Sequence, residues 1–184
     1  NINSQDRKFT YQGGVMYQFD NGLTPYVSYS TAFVPVQQIS NAGSPLKPIT
    51  SSQYEVGVKY EPIGWDTAMT VSVYDLRKQD DTYLDATTNS YRQVGESRAK
   101  GVEVEVNSNI SSNFNVTAAY TYTDARITKD SATSLVEGRQ MTGVPRNQAS
   151  VWGKYRFLDG QLKGFSLGDG VRYFDSKYSY KPPK

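Results

Sequence analysis

The 184-residue chain contains no cysteine and no histidine. Without cysteine there are no disulfides and no thiolate metal sites. Without histidine there is no Ser-His-Asp or Cys-His triad, and the usual zinc ligand sets cannot be assembled. Long apolar runs are also missing. No stretch of about 18 apolar residues exists, so no segment can cross a bilayer as a helix. Charge is nearly balanced, at +2, with no block of like charges. A nucleic-acid-binding surface normally concentrates basic residues, so that partner is not expected. The chain opens Asn1-Ile2-Asn3-Ser4 with no signal-peptide pattern, and is expected to be mature or internal to a longer protein.

What the chain does have is tyrosine: 15 Tyr, with 7 Phe and 2 Trp. An apolar ring with a polar tip suits a membrane–water boundary. It also has alternation. Tyr54-Glu55-Val56-Gly57-Val58-Lys59-Tyr60 places Tyr54, Val56, Val58 and Tyr60 on one face and Glu55, Gly57 and Lys59 on the other. Val102 to Asn107 and Phe114 to Thr123 repeat the pattern, which is that of half-buried strands. The pattern predicts eight strands, at 10–19, 23–34, 51–61, 67–79, 93–107, 113–124, 147–158 and 163–175.

The expected connections alternate in length. Short ones fall at Asp20-Asn21-Gly22, Glu61 to Asp66, Ser108 to Ser112 and Leu158 to Gln161. Long polar ones fall at 35–50, 80–92 and 125–146. That rhythm is the one of a transmembrane barrel, with tight turns at one rim and long loops at the other. Phe114 and Tyr122 share a face eight residues apart, as do Phe165 and Tyr173. Eight residues cover roughly 26 Å of strand, close to the height of a lipid-facing band once the strand tilts. Tyr60, Phe114, Phe157 and Phe165 are therefore expected at one membrane interface, and Phe33, Tyr54, Tyr122 and Tyr173 at the other. The opposite set is polar: Gln18, Ser28, Ser30, Glu55, Lys59, Thr70, Ser72, Glu103, Glu105, Thr117, Thr121, Lys154 and Arg156. Asp169 breaks the rule, in phase with Leu167 and Val171, unless a bulge at Gly168 or Gly170 turns it. Two other architectures fit alternation: a small closed eight-stranded barrel with a structural or adhesive role, and a soluble β-sheet binding module.

Candidate sites are few. Glu103 and Glu105 read as like charges on a wet face rather than a catalytic pair, and no catalytic residue is expected. Asp80, Asp81 and Asp85 lack the spacing of a calcium loop and read as solvated; no metal site is expected. Phe33, Tyr83, Tyr91 and Arg92, near the long-loop rim, pair aromatic surface with a cation.

The ordered segments Phe19-Asp20-Asn21-Gly22, Thr24-Pro25-Tyr26-Val27-Ser28-Tyr29-Ser30-Thr31-Ala32-Phe33, Gln53 to Tyr60, Ala99-Lys100-Gly101-Val102-Glu103-Val104-Glu105, Tyr120 to Ala125, Val144 to Ser150 and Gly170-Val171-Arg172-Tyr173 resemble the C-terminal part of the barrel of TonB-dependent ferric-siderophore receptors, nearest the ferrichrome and ferrioxamine (hydroxamate) group. The resemblance implies an outer-membrane location and about eight strands of a larger, roughly 22-stranded, plugged barrel. It implies a monomeric, non-enzymatic receptor that imports a ferric hydroxamate-type siderophore with no covalent cofactor. Energy would come from the TonB complex through an N-terminal region. The plug domain, the TonB box and the last strand are expected to lie outside 1–184. Phe33, Tyr83, Tyr91 and Arg92 stay candidates for the ligand, and outer-membrane lipid is the expected partner of the aromatic face.

Overall fold

The computed structural model describes residues 7–36, 46–85, 90–130 and 136–175. Among the described residues ten strands form, in the order β1 (Gln12–Met16), β2 (Leu23–Val34), β3 (Ile49–Tyr60), β4 (Thr67–Gln79), β5 (Thr82–Asp85), β6 (Ser90–Gln93), β7 (Glu96–Ser111), β8 (Phe114–Lys129), β9 (Asn147–Arg156) and β10 (Ser166–Phe174). Eight of them make one antiparallel meander, β1-β2-β3-β4-β7-β8-β9-β10, and β5 pairs with β6 alone. Antiparallel neighbours can be joined by tight turns, and four such turns gather at one rim. At the first, the Gly22 N–H donates to Phe19 O at 3.1 Å, and Gly22 holds φ 86°. A Cβ there would strike the carbonyl of Glu61 on the next hairpin, so only glycine fits.

The other rim differs from expectation. Residues 80–85 and 90–92 are not irregular. The β4–β7 register, which sets Gln79 opposite Glu96, continues without a slip into Thr82 opposite Gln93 and Asp85 opposite Ser90. Between them Val94 N donates to Asp81 O and Asp80 N to Gly95 O. β4, β5, β6 and β7 are thus one long hairpin, bent at Asp80, whose φ is 54°. Likewise β8 runs five residues past its expected end, to Lys129. Its outer part is paired by the returning chain: Ile127 N donates to Arg139 O and Met141 N to Ala125 O. β7 spans 96–111 rather than 93–107 because the final turn of that hairpin tightens to Ser112-Asn113.

Directly opposed residues in a sheet point to the same side, so register assigns the faces. One face carries the ladder Val27–Val56–Val73–Val102–Tyr122 across five strands. Below it run Pro25–Val58–Val71–Val104–Tyr120–Ala149–Tyr173 and Leu23–Tyr60–Met69–Val106–Ala118–Val151–Val171. β-Branched and aromatic residues favour such pleated ladders. This face is bare: Val56 is 53 %, Val73 50 % and Val171 70 % exposed. Among the described residues only Val94, Ala125 and Ile127 are buried apolar side chains, and all three lie near the long-loop rim. A soluble protein rarely exposes a continuous apolar surface of this kind, which rules against the soluble module. The sheet is also open: β1 and β10 are its edges and do not pair, against a closed eight-stranded barrel.

The apolar band crosses the strands obliquely. From β3 to β10, five strand steps, its long-loop edge drops four residues in register, from Tyr54 to Tyr173. Its short-turn edge drops six, from Tyr60 to Phe165. With about 3.3 Å per residue and about 4.8 Å per strand, the strands tilt by about 30–40° to the normal of the band. That is the tilt that closes transmembrane barrels.

Candidate functional site: the two faces of the wall

The aromatics expected at the two interfaces lie along the two edges of the apolar band. Tyr54 closes the band on β3 at the long-loop side, its ring tilted against Tyr29 with centroids 4.6 Å apart, and Tyr29 in turn meets Tyr11 at 5.8 Å. Tyr122 and Tyr173 continue this edge on β8 and β10. At the short-turn edge Tyr60 lies opposite Leu23, Phe114 opposite Tyr155, and Phe157 N donates to Phe165 O. Tyr17 packs edge-on against Phe19 at 4.8 Å and extends that girdle. The ladder of Tyr11 and Tyr29 was missed in the sequence; the signal was there, since Tyr29 is in phase with Phe33. Asp169 stays on the apolar face. It pairs with Gly153 in unbroken register, no bulge intervenes, and its Oδ1 accepts from Gly170 N at 2.8 Å.

The opposite face is a polar wall, and the strand members of the expected inward set all lie on it. Ser28 opposes Glu55, Lys59 opposes Thr70, Glu103 opposes both Ser72 and Thr121, and Thr117 opposes Trp152. What alternation did not announce is how aromatics lie here. Tyr26 opposes Gly57, and a Cβ on Gly57 would come within 2.6 Å of the Tyr26 ring. The ring therefore lies across the glycine, and its hydroxyl donates to Glu55 Oε1 at 2.6 Å. Gln53 Nε2 donates to the second carboxylate oxygen at 3.0 Å. Lys59 Nζ sits 5.7 Å from the same ring. Tyr74 lies over Gly101 in the same way, with its hydroxyl 2.9 Å from Thr123 Oγ1. Trp152 covers Gly168 and Gly170. An aromatic laid over a cross-strand glycine restores the packing that the glycine lacks. The result is a wall with rings laid flat over glycines and with the Glu55 carboxylate tied down by Tyr26 and Gln53.

Above the band the long hairpin brings three of the four ligand candidates onto one element. The register sets Tyr83 opposite Arg92 and Leu84 opposite Tyr91. Phe33 is elsewhere: it opposes Thr50 on β2–β3, on the apolar-face side, four residues beyond Tyr29. The hairpin's base is built, not solvated. Asp81 is 5 % exposed, accepts from Ser97 Oγ, and also takes the Thr82 N–H at 2.9 Å. The Gln93 amide clamps a neighbouring segment: Lys47 N donates to its Oε1 at 3.0 Å, and its Nε2 donates to Lys47 O and to Asp80 O. Outside the membrane-spanning part of β4, Arg98 grips Asp75 with Nε and a terminal nitrogen. That hydrogen bonding holds the Asp75 carboxyl below the usual carboxylate range.

Comparisons with known proteins agree with this geometry. The family model "TonB dependent receptor-like, beta-barrel" matches residues 1–183. The chain is 43 % identical over 174 residues to the "Ferrichrome outer membrane transporter/phage receptor" of Escherichia coli K12, covering 94 % of this chain and 23 % of that protein. It is 41 % identical over 162 residues to the "Ferrioxamine B receptor" of Salmonella typhimurium, covering 88 % and 23 %. The solved siderophore receptor PiuA from Acinetobacter baumannii superposes with a TM-score of 0.68 at 28 % identity, over 92 % of this chain and 26 % of that one. The chain thus spans about a quarter of the length of these relatives. One face fit for lipid, one fit for a polar lumen, and a family match along the whole sheet lead to one conclusion: this chain belongs to the TonB-dependent receptor β-barrel family of the outer membrane.

Proposed function

We propose that this chain is the lumen-lining wall of a receptor that imports a ferric siderophore of the hydroxamate type. The observation that carries the reading is the two-faced sheet joined to its similarity to receptors named for ferrichrome and ferrioxamine B. In this reading the wall performs no covalent chemistry and holds no cofactor. It supplies shape, aromatic contact and fixed charge to a ligand that passes. The Tyr83–Arg92 hairpin suits such a ligand, because a hydroxamate complex presents carbonyl oxygens to a guanidinium and apolar surface to rings. Phe33, on the apolar-face side, serves the rim instead. The remaining strands, the plug and the TonB-contacting segment would be supplied by the rest of a monomeric receptor.

The test is iron uptake by cells whose only siderophore receptor is the complete protein. Uptake from ferrichrome or ferrioxamine B, and not from a ferric catecholate, is the expected result. Uptake from the catecholate alone would remove the hydroxamate assignment, and uptake from none of them would remove the siderophore reading. Tyr83→Ala with Arg92→Ala should weaken ferric-ligand binding about tenfold or more at unchanged surface level. Unchanged affinity would move the ligand to parts of the receptor outside this chain.

A further inference from the structure

The polar face of the wall is sorted by charge. Between the two aromatic edges, β3, β4 and β7 carry Glu55, Glu103 and Glu105 on this face, with one cation, Lys59. On the same face β8, β9 and β10 carry Lys154, Arg156 and Arg172 and, among the described residues, no carboxylate. Asp169 lies on the other side of β10. Three carboxylates against one lysine leave the first half at −2, and the second half stands at +3.

The positive half is built around a flat ring. Trp152 lies across Gly168 and Gly170, where a Cβ would come within 2.7 Å of the indole. One face of the ring rests on β10; at 49 % exposure the other is open to the lumen. Arg172 stands one row above, opposite Ser150, with its guanidinium 5.9 Å from the Phe174 ring centroid. Lys154 and Arg156 follow Trp152 on the same face of β9, opposite Gly168 and Ser166. All three cations are exposed. No carboxylate of the described residues pairs with any of them. From the level of Arg172 down to Arg156 is six residues of strand, about 20 Å.

Charge and length identify the partner. A ferric tris-hydroxamate sets three single negative charges against iron(III) and is neutral at the metal, so a cargo of that kind does not require three clustered cations. A strip about 20 Å long also exceeds the contact of one small ligand and suits a protein surface. A protein packed against this face strips water from the cations, and a desolvated charge is costly unless an opposite charge meets it. We propose that the β9–β10 half of the lumen wall is the docking surface for an acidic face of the plug, with Arg172, Lys154 and Arg156 as its cations and Trp152 as the flat contact among them. The inference rests on the reading that a plug fills this lumen, and goes beyond it in naming the chemistry of the plug's matching face. Opposite signs on the two halves of the wall favour one rotational setting of the plug and penalise the others.

The complete receptor, in neutral detergent and without siderophore, would be treated with a zero-length carbodiimide, which joins an amine to a carboxylate in contact with it. Cross-linked peptides would be read by mass spectrometry. Lys154 should be joined to an Asp or Glu of the plug. Arg172→Lys and Arg156→Lys, which keep the charge, should each add a further link to the plug. Lys154 joined only to barrel carboxylates, or to none, would overturn the proposal. Lys154→Glu with Arg156→Glu should quicken hydrogen exchange about tenfold or more in the plug segment that Lys154 reaches, with β8–β10 still protected. Unchanged exchange in that segment would equally overturn it. The cross-link needs no cargo, so its failure leaves the hydroxamate assignment untouched; that assignment stands or falls on uptake.

Discussion

At the scale of single residues, the wall is governed by which side of a strand a side chain takes. Val71 lies in the middle of the apolar band, between Val58 and Val104. Val71→Lys should cost about 2–4 kcal/mol, the range for a basic residue at midplane depth. Tyr122→Asp, at the band's edge, should cost less, and Thr121→Asp, on the polar face, least. Surface levels of the three full-length variants should rank in the reverse order, and equal levels of the last two would contradict the assigned faces. Asp169 provides the converse test. It is a carboxylate on the lipid face, held in place by unbroken register with Gly153. Asp169→Val should raise the temperature at which the folded receptor loses its compact gel mobility, since it removes a charge from hydrocarbon. A lowered temperature would mean that the carboxylate has a partner outside this chain.

At the scale of elements, the sequence made the strands legible because period-2 alternation is a local property. Val102–Asn107 and Tyr54–Tyr60 could be assigned to faces from six or seven residues alone. The outer hairpin was not legible. Residues 80–92 set Tyr83 beside Leu84 in a polar stretch, so no period-2 alternation shows there. The hairpin is extended by register inherited from β4 and β7, which is a property of two distant segments together. Its anchoring by Asp81, Ser97 and Gln93 was invisible for the same reason: a buried carboxylate and a solvated one look alike in a sequence. Tyr26 and Tyr74 could have been placed on the polar face by phase, but their lying over Gly57 and Gly101 required the cross-strand partner. The clamp by Gln93 makes its own prediction. Gln93→Ala removes three hydrogen bonds that tie the hairpin's base to Lys47 and Asp80. Hydrogen exchange should quicken at Lys47 and along 82–93, with protection in β3, β4 and β8 unchanged. Exchange that quickens throughout the sheet would mean that the clamp supports the wall rather than the hairpin.

At the scale of the molecule, the tilt and the open edges bear on what these eight strands can do by themselves. A tilt of about 30–40° closes a barrel when strand number and stagger are matched. In this sheet β1 contributes five paired residues and β10 nine, and both present unpaired outer edges. Closing the sheet by joining β1 to β10 would set a five-residue strand against a nine-residue one and leave backbone groups unpaired in hydrocarbon, at a cost of several kcal/mol per group. It would also draw Tyr26, Tyr74, Trp152 and the carboxylates of Glu55, Glu103 and Glu105 into a lumen barely wide enough for side chains. The wall therefore depends on further strands at both edges. Residues 7–175 expressed alone and refolded in micelles should give associated species by light scattering. They should lack the shift in gel mobility on heating that marks a closed barrel, whereas the complete receptor should show it. A monodisperse, heat-modifiable monomer from residues 7–175 would overturn this, because it would require the two edges to find each other despite their unequal lengths.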